Sequence, residues 1–471
     1  MTDLTGLTAL AALAALRAGT LSAAAYVDAL LARATEWQHL NAFASLEPER
    51  ARAAAAESDA RRRRGEVPGA LEGLPIVIKD NVDVAGWVTT AGTPALARHR
   101  PARTATVARR LLEAGAILIG KNTMHELAHG ITCNNAAFGA VRNPYDPTRI
   151  PGGSSGGTAA AIAARLAPVG LGTDTGGSVR IPAALCGIVG FRPTTGRYPG
   201  EGLVPISHTR DTAGPLARSV ADLALLDGIL AADPAPLPAL RLAGLRIGVP
   251  RALFYAGLDP ELAALTEAAL GQLTDAGAVL LEADVPGLDA LSARVAGTIS
   301  DYEFPRDLAA YLAASGSGLT LGDVIAALAS PDLIETFAHE VQGPNAPGEA
   351  AYRDAIEVGR PAVQRAFRGY FAAHGVEAIV FPTTPLPACA IGADATVELG
   401  GVKLSTFTTY VRNARPASTA GLPALSLPIG RTAAGLPVGL EFAGPTGQDR
   451  RVLALAAAIE PLFEPLPAPG R

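Results

Sequence analysis

Short apolar segments alternate with helical stretches from residue 74 onward, and this alternation constrains the fold more than any other feature of the sequence. Each apolar segment has the length and the Val, Ile and Leu content of a buried strand. This order predicts an α/β fold in which a β-sheet is covered by helices. The predicted strands are LPIVIK, AILIG, APVGLG, IVGF, RIGVP, AIVF, ALSLPIG and PVGLEFAG, and the predicted helices include residues 104–114, 157–166, 218–231 and 259–276.

Two regions depart from the alternation. Residues 1–65 are Ala-rich with regularly spaced Leu and predict helices, and the Arg run at 61–64 is expected to oppose a helix dipole rather than to bind a polyanion. Residues 285–373 are mostly helical and poor in strands, so they predict an excursion from the sheet. The Pro-rich residues 232–240 are the best linker candidate, although the same composition suits a loop within one domain.

Composition excludes several classes of protein. With 471 residues, 49% of them hydrophobic and 18% charged, the chain can bury a large core. A net charge of -5 gives no basis for nucleic-acid binding. The apolar residues 7–16 follow Asp3 and no Lys or Arg, so they lack the basic start of a signal peptide and are too short to span a bilayer. Cys133, Cys186 and Cys389 lie far apart and predict neither disulfides nor a Cys-pair metal site, which favours a cytoplasmic protein.

The residues HELAH at 125–129 match the H-E-x-x-H pattern of zinc peptidases. Catalytic zinc needs a third protein ligand, and the extended motif fails because Thr132 stands where its glycine would be. No Glu occurs between Glu126 and Glu201, and Gly130 would weaken a helix through the motif. We therefore predict no metal site, and a helix that exposes two ordinary histidines.

Two glycine-serine clusters lie a short helix and a strand apart. Residues 152–157 (GGSSGG) precede an Ala-rich run, and residues 176–178 (GGS) precede VRIPAAL. Glycine at this density suits a backbone that approaches a ligand closely or adopts positive φ. The first cluster lacks the lysine of a phosphate-binding P-loop. It also matches G-x-S-x-G, so a Ser-His-Asp α/β-hydrolase is an alternative with His208, His339 or His374 as the base.

Three longer motifs together resemble the amidase signature family of serine hydrolases. They are GLPIVIKDN at 73–81, PGGSSGGTAAAIAA at 151–164 and GTDTGGSVRIPAALCGIVGFRPTTGR at 172–197. They occur in the family's order and spacing, and the resemblance extends over about residues 5–460.

The resemblance implies a particular architecture. It is an α/β fold with a mixed central β-sheet covered by helices on both faces, and the whole of residues 1–471 forms a single amidase domain. Residues 1–65 are its helical N-terminal segment, and residues 66–231 are the core that carries the catalytic site. Residues 285–373 are a variable helical region that selects the substrate.

The resemblance also implies a Ser-Ser-Lys triad. Ser178 is the acylated nucleophile, Ser154 is the bridging serine in a cis peptide, and Lys79 is the terminal base. A serine hydroxyl needs a base within hydrogen-bond reach, and lysine can be that base only when it is neutral. Lys79 ends the apolar segment LPIVIK, so burial is expected to lower its pKa from about 10.4 to about 7. Ser154 can relay the proton because a hydroxyl both donates and accepts.

An oxyanion hole is implied on the backbone just before the nucleophile. Donors must point to the carbonyl oxygen as negative charge develops there, and a helix that begins near Ser178 would add its dipole. Ser155, Asp174 and Arg180 are expected to support this loop. The residues implied as oxyanion donors are Thr175, Gly176, Gly177 and Ser178.

The C-terminal half bears on the choice of substrate. Residues 406–430 contain no Asp or Glu, so a free α-amino group would lack a partner, which counts against glutamine. The same stretch, with residues 301–312 and 330–333, resembles the branch of indoleacetamide, mandelamide and aryl-amide hydrolases. The HELAH segment resembles the family's helix that lines one wall of the cleft. The candidate pocket residues are Met124, Tyr302, Phe304, Tyr311 and Phe407.

Together these features predict an amidase without a cofactor. It would hydrolyse the C–N bond of a small aryl or apolar amide to a carboxylate and ammonia or an amine through a Ser acyl-enzyme. Esters and carbamates, as in a urethanase, are also within reach of this chemistry. A glutamine amidotransferase A-type subunit and a Ser-His-Asp hydrolase are the alternatives. The expected partner is a small-molecule amide, without nucleic acid or membrane, and both a monomer and a homodimer fit the sequence.

Overall fold

The computed structural model describes residues 3–470, without the side chains of residues 293 and 294; residues 1, 2 and 471, at the ends of the expected domain, lie outside the described residues. Its strands follow the apolar segments of the sequence closely. The strands are β1 Phe43–Leu46, β2 Pro75–Lys79, β3 Ile117–Asn122, β4 Asn134–Asn135, β5 Gly139–Ala140, β6 Val169–Asp174, β7 Val189–Arg192, β8 Thr212–Ala217, β9 Arg246–Val249, β10 Val279–Glu282, β11 Ala378–Pro382, β12 Thr396–Leu399, β13 Val402–Ser405, β14 Ala424–Arg431 and β15 Pro437–Ala443.

One sheet organises the molecule. Within residues 3–470 it contains eleven strands in the order β1-β3-β2-β6-β8-β7-β14-β15-β11-β9-β10. β2 runs parallel to β3 and β6, and β9 runs parallel to β10 and β11, whereas the other neighbours are antiparallel. The predicted α/β fold with a mixed sheet is confirmed. Strands on both sides of residues 232–240 belong to this sheet, so that segment is a loop within it.

The helices pack on the sheet or extend beyond it. None of those within residues 3–470 combines the length and the apolar character that a bilayer crossing requires. The helices are α1 Ala9–Arg17, α2 Ala23–Glu36, α3 Pro48–Arg63, α4 Thr106–Glu113, α5 Gly156–Ala163, α6 Arg180–Leu185, α7 Val220–Leu230, α8 Arg251–Phe254, α9 Pro260–Asp275, α10 Leu288–Ser315, α11 Leu321–Ala326, α12 Pro331–Thr336, α13 Glu349–Asp354, α14 Arg360–His374, α15 Thr406–Val411, α16 Arg415–Ala420 and α17 Asp449–Ile459.

The glycine and alanine content of α5 allows it to lie inside the molecule. Every residue of α5 is buried, and the helix contacts β2, β6 and β8. A Cβ atom on Gly157 would lie 2.2 Å from the Thr123 carbonyl oxygen, so only glycine permits this approach. The helix therefore brings the first glycine-serine cluster against the centre of the sheet.

The N-terminal segment is helical as predicted, with one addition. Residues 43–46 form the edge strand β1, which pairs antiparallel with β3 and which the sequence did not indicate. The arginine run at the end of α3 is used within the fold: Arg61 pairs with Glu72, and Arg62 pairs with Asp59.

The described part of residues 285–373 is helical from α10 to α14 and contains no strand, so the predicted excursion is confirmed. The middle of α10 packs on α11, on α12 and on loops beside the sheet. Phe304 and Leu308 of α10 share an apolar cluster with Leu96, Leu127 and Leu333. This cluster places the excursion over the segment that carries the HELAH residues.

The predicted helix through HELAH is wrong. The segment is a loop with a single 3-10 turn at Glu126–Ala128, and both Leu127 and Ala128 have positive φ, at 48° and 58°. The cause is a long-range contact, because the Glu126 carboxylate accepts hydrogen bonds from the backbone N–H groups of Ala329 and Ser330. Glu126 therefore satisfies backbone donors at the start of α12, and the loop bends to reach them.

Candidate active site

The predicted catalytic residues lie where two neighbouring strands end. Lys79 is the last residue of β2, and Ser178 lies in the loop between β6 and α6. β2 and β6 pair in parallel, with Ile78 opposite Leu171, so their carboxyl ends lie at the same edge of the sheet. Ser154 lies two residues before α5, which contacts both strands. Segments that are distant in sequence are therefore brought together at this edge.

Lys79 is a buried amine held by two hydroxyls. Its Nζ atom lies 2.7 Å from Ser154 Oγ and 2.8 Å from Thr173 Oγ1, and the side chain has no exposed surface. Asn81 donates to the same Thr173 oxygen at 3.0 Å. Burial lowers the pKa of Lys79 to about 7, since a charged ammonium loses its hydration there. A large fraction of this lysine is therefore neutral near pH 7, with its lone pair available as a base.

Serines 154 and 155 connect the two glycine-serine clusters. The Gly153–Ser154 peptide bond is cis, as the resemblance implied. The backbone N–H of Ser155 donates to the Ser178 carbonyl oxygen at 3.1 Å. The Ser155 hydroxyl donates to the Thr173 carbonyl oxygen and accepts from the Thr173 N–H. Ser155 thus fixes the separation between the cluster before α5 and the loop after β6.

Ser178 differs from the other two triad residues in its exposure. It is 8% exposed, whereas Lys79 and Ser154 are fully buried. Within residues 3–470 its hydroxyl has no hydrogen-bond partner, so the implied bond from Ser178 to Ser154 is not formed in this state. Hydrogen bonds of catalytic groups often close only when substrate is bound. The arrangement supplies an accessible hydroxyl beside a buried hydroxyl-amine pair.

The loop before Ser178 offers free backbone donors. In the described chain, the N–H groups of Thr175, Gly176 and Ser178 have no acceptor. The Gly177 N–H is occupied, because it donates to Asp174 Oδ1 at 2.9 Å. The implied role of Gly177 as an oxyanion donor is therefore not supported, and this residue instead shapes the loop at its φ of 128°.

A buried ion network supports the loop from behind. Asp174 accepts from Arg180 Nε and Arg192 Nη1 at 3.1 and 3.0 Å, and Arg180 also contacts Glu441. Burial alone would raise the pKa of Asp174, but the two guanidinium groups hold it below its usual range. Burial raises the pKa of Glu441 to about 7 against the charge of Arg180. Asp174 and Arg180 thus occupy the supporting positions that the motifs implied.

The helix after Ser178 is short. α6 spans only Arg180–Leu185. Asp174 also accepts from the Val179 N–H at 3.2 Å, so part of the start of α6 is already satisfied by a protein carboxylate. The N–H groups of Thr175, Gly176 and Ser178 therefore remain unbonded within the described residues, whereas those of Gly177 and Val179 are taken by Asp174.

The two histidines of HELAH are engaged separately. His125 is buried, its Nδ1 atom accepts from the Cys133 N–H at 3.2 Å, and its Nε2 atom lies 3.0 Å from Asp332 Oδ2. His129 instead stacks on Phe304, with ring centroids 4.9 Å apart. Burial lowers the pKa of His129 to about 4, so its ring is neutral at physiological pH. The first histidine is part of the protein interior and the second is part of an aromatic group.

The candidate pocket residues fall into two sets. Phe304 and Phe407 both stack with His129, and the His129 and Phe407 rings are nearly parallel with centroids 6.5 Å apart. Phe407 is 37% exposed and so can meet a ligand. Tyr302 is covered by the Tyr352 ring and the Arg306 guanidinium, and the structure does not bring it to this group.

The remaining two candidates are tied to the protein. Met124 is buried with Ala128 and Ile206 in a small apolar cluster. The Tyr311 hydroxyl donates to Asp83 at 3.0 Å, which links α10 to the loop after β2. Neither contact identifies a surface for substrate.

A Ser-His-Asp arrangement is not formed. His208 is 61% exposed, and its Nδ1 atom contacts Asp307 rather than a serine. His339 is exposed and His374 is half-buried at the end of α14. In the part of the chain that the structure describes, none of the three hydrogen-bonds to Ser154 or to Ser178.

Several residues near the site were missed by sequence reasoning. Thr173 and Asp211 are two of them: Thr173 contacts Lys79, and the Asp211 carboxylate accepts from the Thr175 hydroxyl and from the backbone of Ile206 and Ser207. The only local signal is the Arg-Asp pair within SHTRDTAGP, and the sequence analysis did not use it. The fold brings Asp211 and Arg210 next to the loop before Ser178: Asp211 contacts Thr175, and Arg210 Nη2 lies near Gly176.

Comparisons with known proteins agree with this geometry. A family model described as Amidase matches residues 25–453. The chain is 45% identical to the indoleacetamide hydrolase of Agrobacterium vitis over 92% of each chain. It is 41% identical to the mandelamide hydrolase of Pseudomonas putida over 94% of this chain and 89% of that one. A solved structure described as an amidase superposes with a TM-score of 0.86 at 36% identity, covering 97% of this chain and 100% of that chain.

Proposed function

Because the chain belongs to the amidase family, it is a hydrolase of C–N bonds in linear amides, and we propose that its substrate is a small amide with an aromatic or apolar acyl group. One observation carries the chemical part of the proposal. A fully buried lysine amine, with a pKa of about 7, lies 2.7 Å from the Ser154 hydroxyl, and the next residue, Ser155, is hydrogen-bonded to the backbone of Ser178. This is the arrangement that a lysine base needs to activate a hydroxyl at neutral pH.

In the proposed mechanism Ser178 Oγ attacks the amide carbonyl carbon. Its proton passes to Ser154, whose own proton passes to the neutral amine of Lys79. The C–N bond then breaks, and the leaving nitrogen takes a proton back along the same path. Ammonia or an amine departs, and an acyl ester remains on Ser178. Water repeats the sequence with the ester, so that the carboxylate is released and the Ser178 hydroxyl is restored.

The proposed oxyanion site uses the free donors of the loop. The N–H groups of Thr175, Gly176 and Ser178 would bind the carbonyl oxygen as it gains negative charge. Asp174 and Asp211 are positioning residues, since they hold Gly177 and the Thr175 side chain respectively. Preorganised donors of this kind need no rearrangement at the moment of reaction.

Two observations support an aromatic acyl group. The relatives named above hydrolyse, by their names, indoleacetamide and mandelamide, which both carry an aromatic ring on the acyl side. In this chain Phe304, His129 and Phe407 place three rings in one group, and His129 is neutral there. A flat apolar ring can stack on such a surface.

Two further features are proposed, the range of substrates and the cellular location. The same acyl-enzyme can form from esters and carbamates, so we propose weaker turnover of both. We also propose a cytoplasmic location, supported by three cysteines without a disulfide in the described chain, of which Cys133 and Cys186 are buried.

A substrate panel tests this proposal. We expect kcat/KM for indole-3-acetamide, phenylacetamide and mandelamide to exceed that for glutamine at least about ten-fold, because an unpaired α-ammonium would be desolvated. A fluorophosphonate should label Ser178, with mass spectrometry as the readout. Preferential glutamine turnover, strengthened by a partner protein, would contradict the proposal and favour the amidotransferase alternative.

A further inference from the structure

Arg210 is a buried guanidinium that the fold uses only in part. It is 2% exposed, and its Nη1 atom donates to the Ala296 carbonyl oxygen and to Ser300 Oγ, both on α10. Its Nε atom is buried without a partner, and within residues 3–470 its Nη2 atom makes no hydrogen bond. A buried donor that is left unsatisfied is costly, so a side chain of this kind commonly has an acceptor in its working state.

The unused Nη2 atom faces the loop of free donors. A Cβ atom placed on Gly176 would find a single heavy atom within 4 Å, and that atom is Arg210 Nη2, at 3.8 Å. Gly176 does not have positive φ, so its backbone conformation does not demand glycine. The missing side chain instead leaves open space between the loop and the guanidinium.

A second guanidinium lies in the same part of the cleft. Arg415 covers the Phe407 ring, with Cζ 5.2 Å from the ring centroid, and its side chain makes no hydrogen bond among the described residues. It lies close enough to Arg210 and to His129 for its charge to lower their pKa values. Asp301 on α10 is the acidic group whose field reaches Arg415, but no ion pair joins the two side chains.

These two cations differ from the arginines behind the loop. Arg180 and Arg192 both contact Asp174, whereas the described side chains give Arg210 and Arg415 no carboxylate within ion-pair distance. Burial, together with the charges of the neighbouring arginines, lowers the pKa of Arg210 to about 9. A cation that is buried without a partner is stabilised by a ligand that brings the opposite charge.

The other acidic groups nearby are already engaged. Asp211 accepts from Thr175 and from the backbone of Ser207. Glu303 accepts from Ser207 and from Tyr352. Asp301 is a described carboxylate whose field reaches both Arg210 and Arg415, and it forms no ion pair with either.

We propose that the space beside Gly176 is a carboxylate subsite, in which Arg210, with Arg415 as the outer cation, binds an anionic group on the acyl part of the substrate. This inference rests on the proposed amide hydrolysis and narrows its substrate class. The preferred substrates are amides whose acyl group carries a carboxylate as well as an apolar or aromatic part, such as monoamides of short diacids. The reaction then releases a dicarboxylate.

Matched substrates test the subsite. The pairs are phenylacetamide with 4-carboxyphenylacetamide, and butanamide with the monoamide of butanedioic acid. We expect the carboxylated member of at least one pair to have a kcat/KM about ten-fold or more above its neutral partner, carried mainly by KM. That ratio is the smallest gain expected of a charge-assisted hydrogen bond. Preference for the neutral member of both pairs would overturn the proposal.

Variants separate binding from a purely structural role. Arg210→Gln should abolish the preference while changing kcat/KM for the neutral amides less than about three-fold. Arg210→Lys keeps the positive charge but lacks the planar set of donors of a guanidinium, so it should retain part of the preference that Arg210→Gln loses. Arg360→Gln is the matched control: its guanidinium also lacks a carboxylate but donates to the Thr209 and Thr419 carbonyl oxygens, so the preference should persist. Equal losses for neutral and carboxylated amides in Arg210→Gln would show a structural role and overturn the subsite.

A binding measurement tests the subsite without requiring turnover. Calorimetric titration of the wild-type protein with 4-carboxyphenylacetate and with butanedioate should show binding of at least one diacid. Arg210→Gln should weaken that binding about ten-fold or more. Absence of binding to both diacids would overturn the subsite even if amides are hydrolysed. Failure to hydrolyse any amide, with Ser178 unlabelled, would instead contradict the proposed function.

Discussion

The catalytic edge of the sheet and the helical region over it are held together in different ways. At the catalytic edge the side chains behind the Ser178 loop form a buried polar network, in which Arg180 alone contacts Asp174, Glu441 and Ser418. The helical region meets the rest of the molecule through polar contacts at separate places, such as Tyr311 to Asp83 and Glu303 to Ser207, and through stacked rings. This difference indicates that the reaction depends on a cooperative network, whereas substrate choice depends on contacts that can be replaced one at a time. The predictions below test that division.

Removal of the nucleophile should have the largest effect. We expect Ser178→Ala to lower kcat by at least about 10⁴-fold, since the proposed acyl-enzyme forms on this hydroxyl. Steady-state hydrolysis of phenylacetamide measures this loss. The melting temperature should change little, because the hydroxyl has no partner among the described residues. Retained turnover would mean that another residue is the nucleophile, and this edge of the sheet could then no longer be called the catalytic edge.

Replacement of the proposed base, Lys79, should have the second largest effect on activity. Lys79→Met should lower kcat/KM about 10³-fold, which is the scale of general base catalysis. Lys79→Arg is the sharper variant, because a guanidinium keeps the positive charge but does not become neutral in a protein. We expect it to be as inactive as Lys79→Met. Substantial activity of Lys79→Arg would mean that the residue acts as a cation and not as a base.

Stability should distinguish the two regions directly. Asp174→Asn removes the carboxylate that two buried arginines share, and we expect it to reduce the free energy of unfolding by about 3–5 kcal/mol. Tyr311→Phe removes one hydrogen bond of the helical region and should cost about 1 kcal/mol. Urea denaturation measures both values. Equal costs would show that the helical region is as interdependent as the catalytic edge.

The smallest expected effect concerns the aromatic group. Phe407→Ala should raise KM for aryl amides about ten-fold, because loss of a ring contact costs about 1.5 kcal/mol, and should leave kcat nearly unchanged. Val402→Ala, an exposed apolar residue on β13 of the adjacent hairpin, is the matched control and should not affect KM. A fall in kcat with constant KM for Phe407→Ala would assign this ring to the reaction itself.

Local patterns predicted the elements that carry the chemistry. The strands before Lys79 and Ser178 are continuous apolar runs, and the glycine-serine clusters lie in the loops that follow or precede them, so short-range spacing was sufficient. β8 was missed because Gly214 and Pro215 argue against a central strand, although it lies between β6 and β7. Its small residues suit a crowded sheet centre, which a local pattern does not reveal.

The errors and omissions have a shared physical cause. HELAH reads as a helix locally, but the hydrogen bonds from Glu126 to the start of α12 favour a loop with positive φ. Likewise, Arg210 and Arg415 are 205 residues apart in the sequence, and only the fold brings their charges close together. Contacts between distant segments determine both, so no single window of sequence contains the information.

The most direct test of the account is the pH dependence of kcat/KM for a neutral aryl amide. Burial lowers the pKa of Lys79 to about 7, so the fraction of the active, neutral form increases as pH rises through that value. We predict a single rising limb with a midpoint near 7 and a plateau above it, and no such limb in the residual activity of Lys79→Met. A profile that falls as pH increases above neutrality, or a limb that survives the substitution, would contradict the assignment of Lys79 as the base.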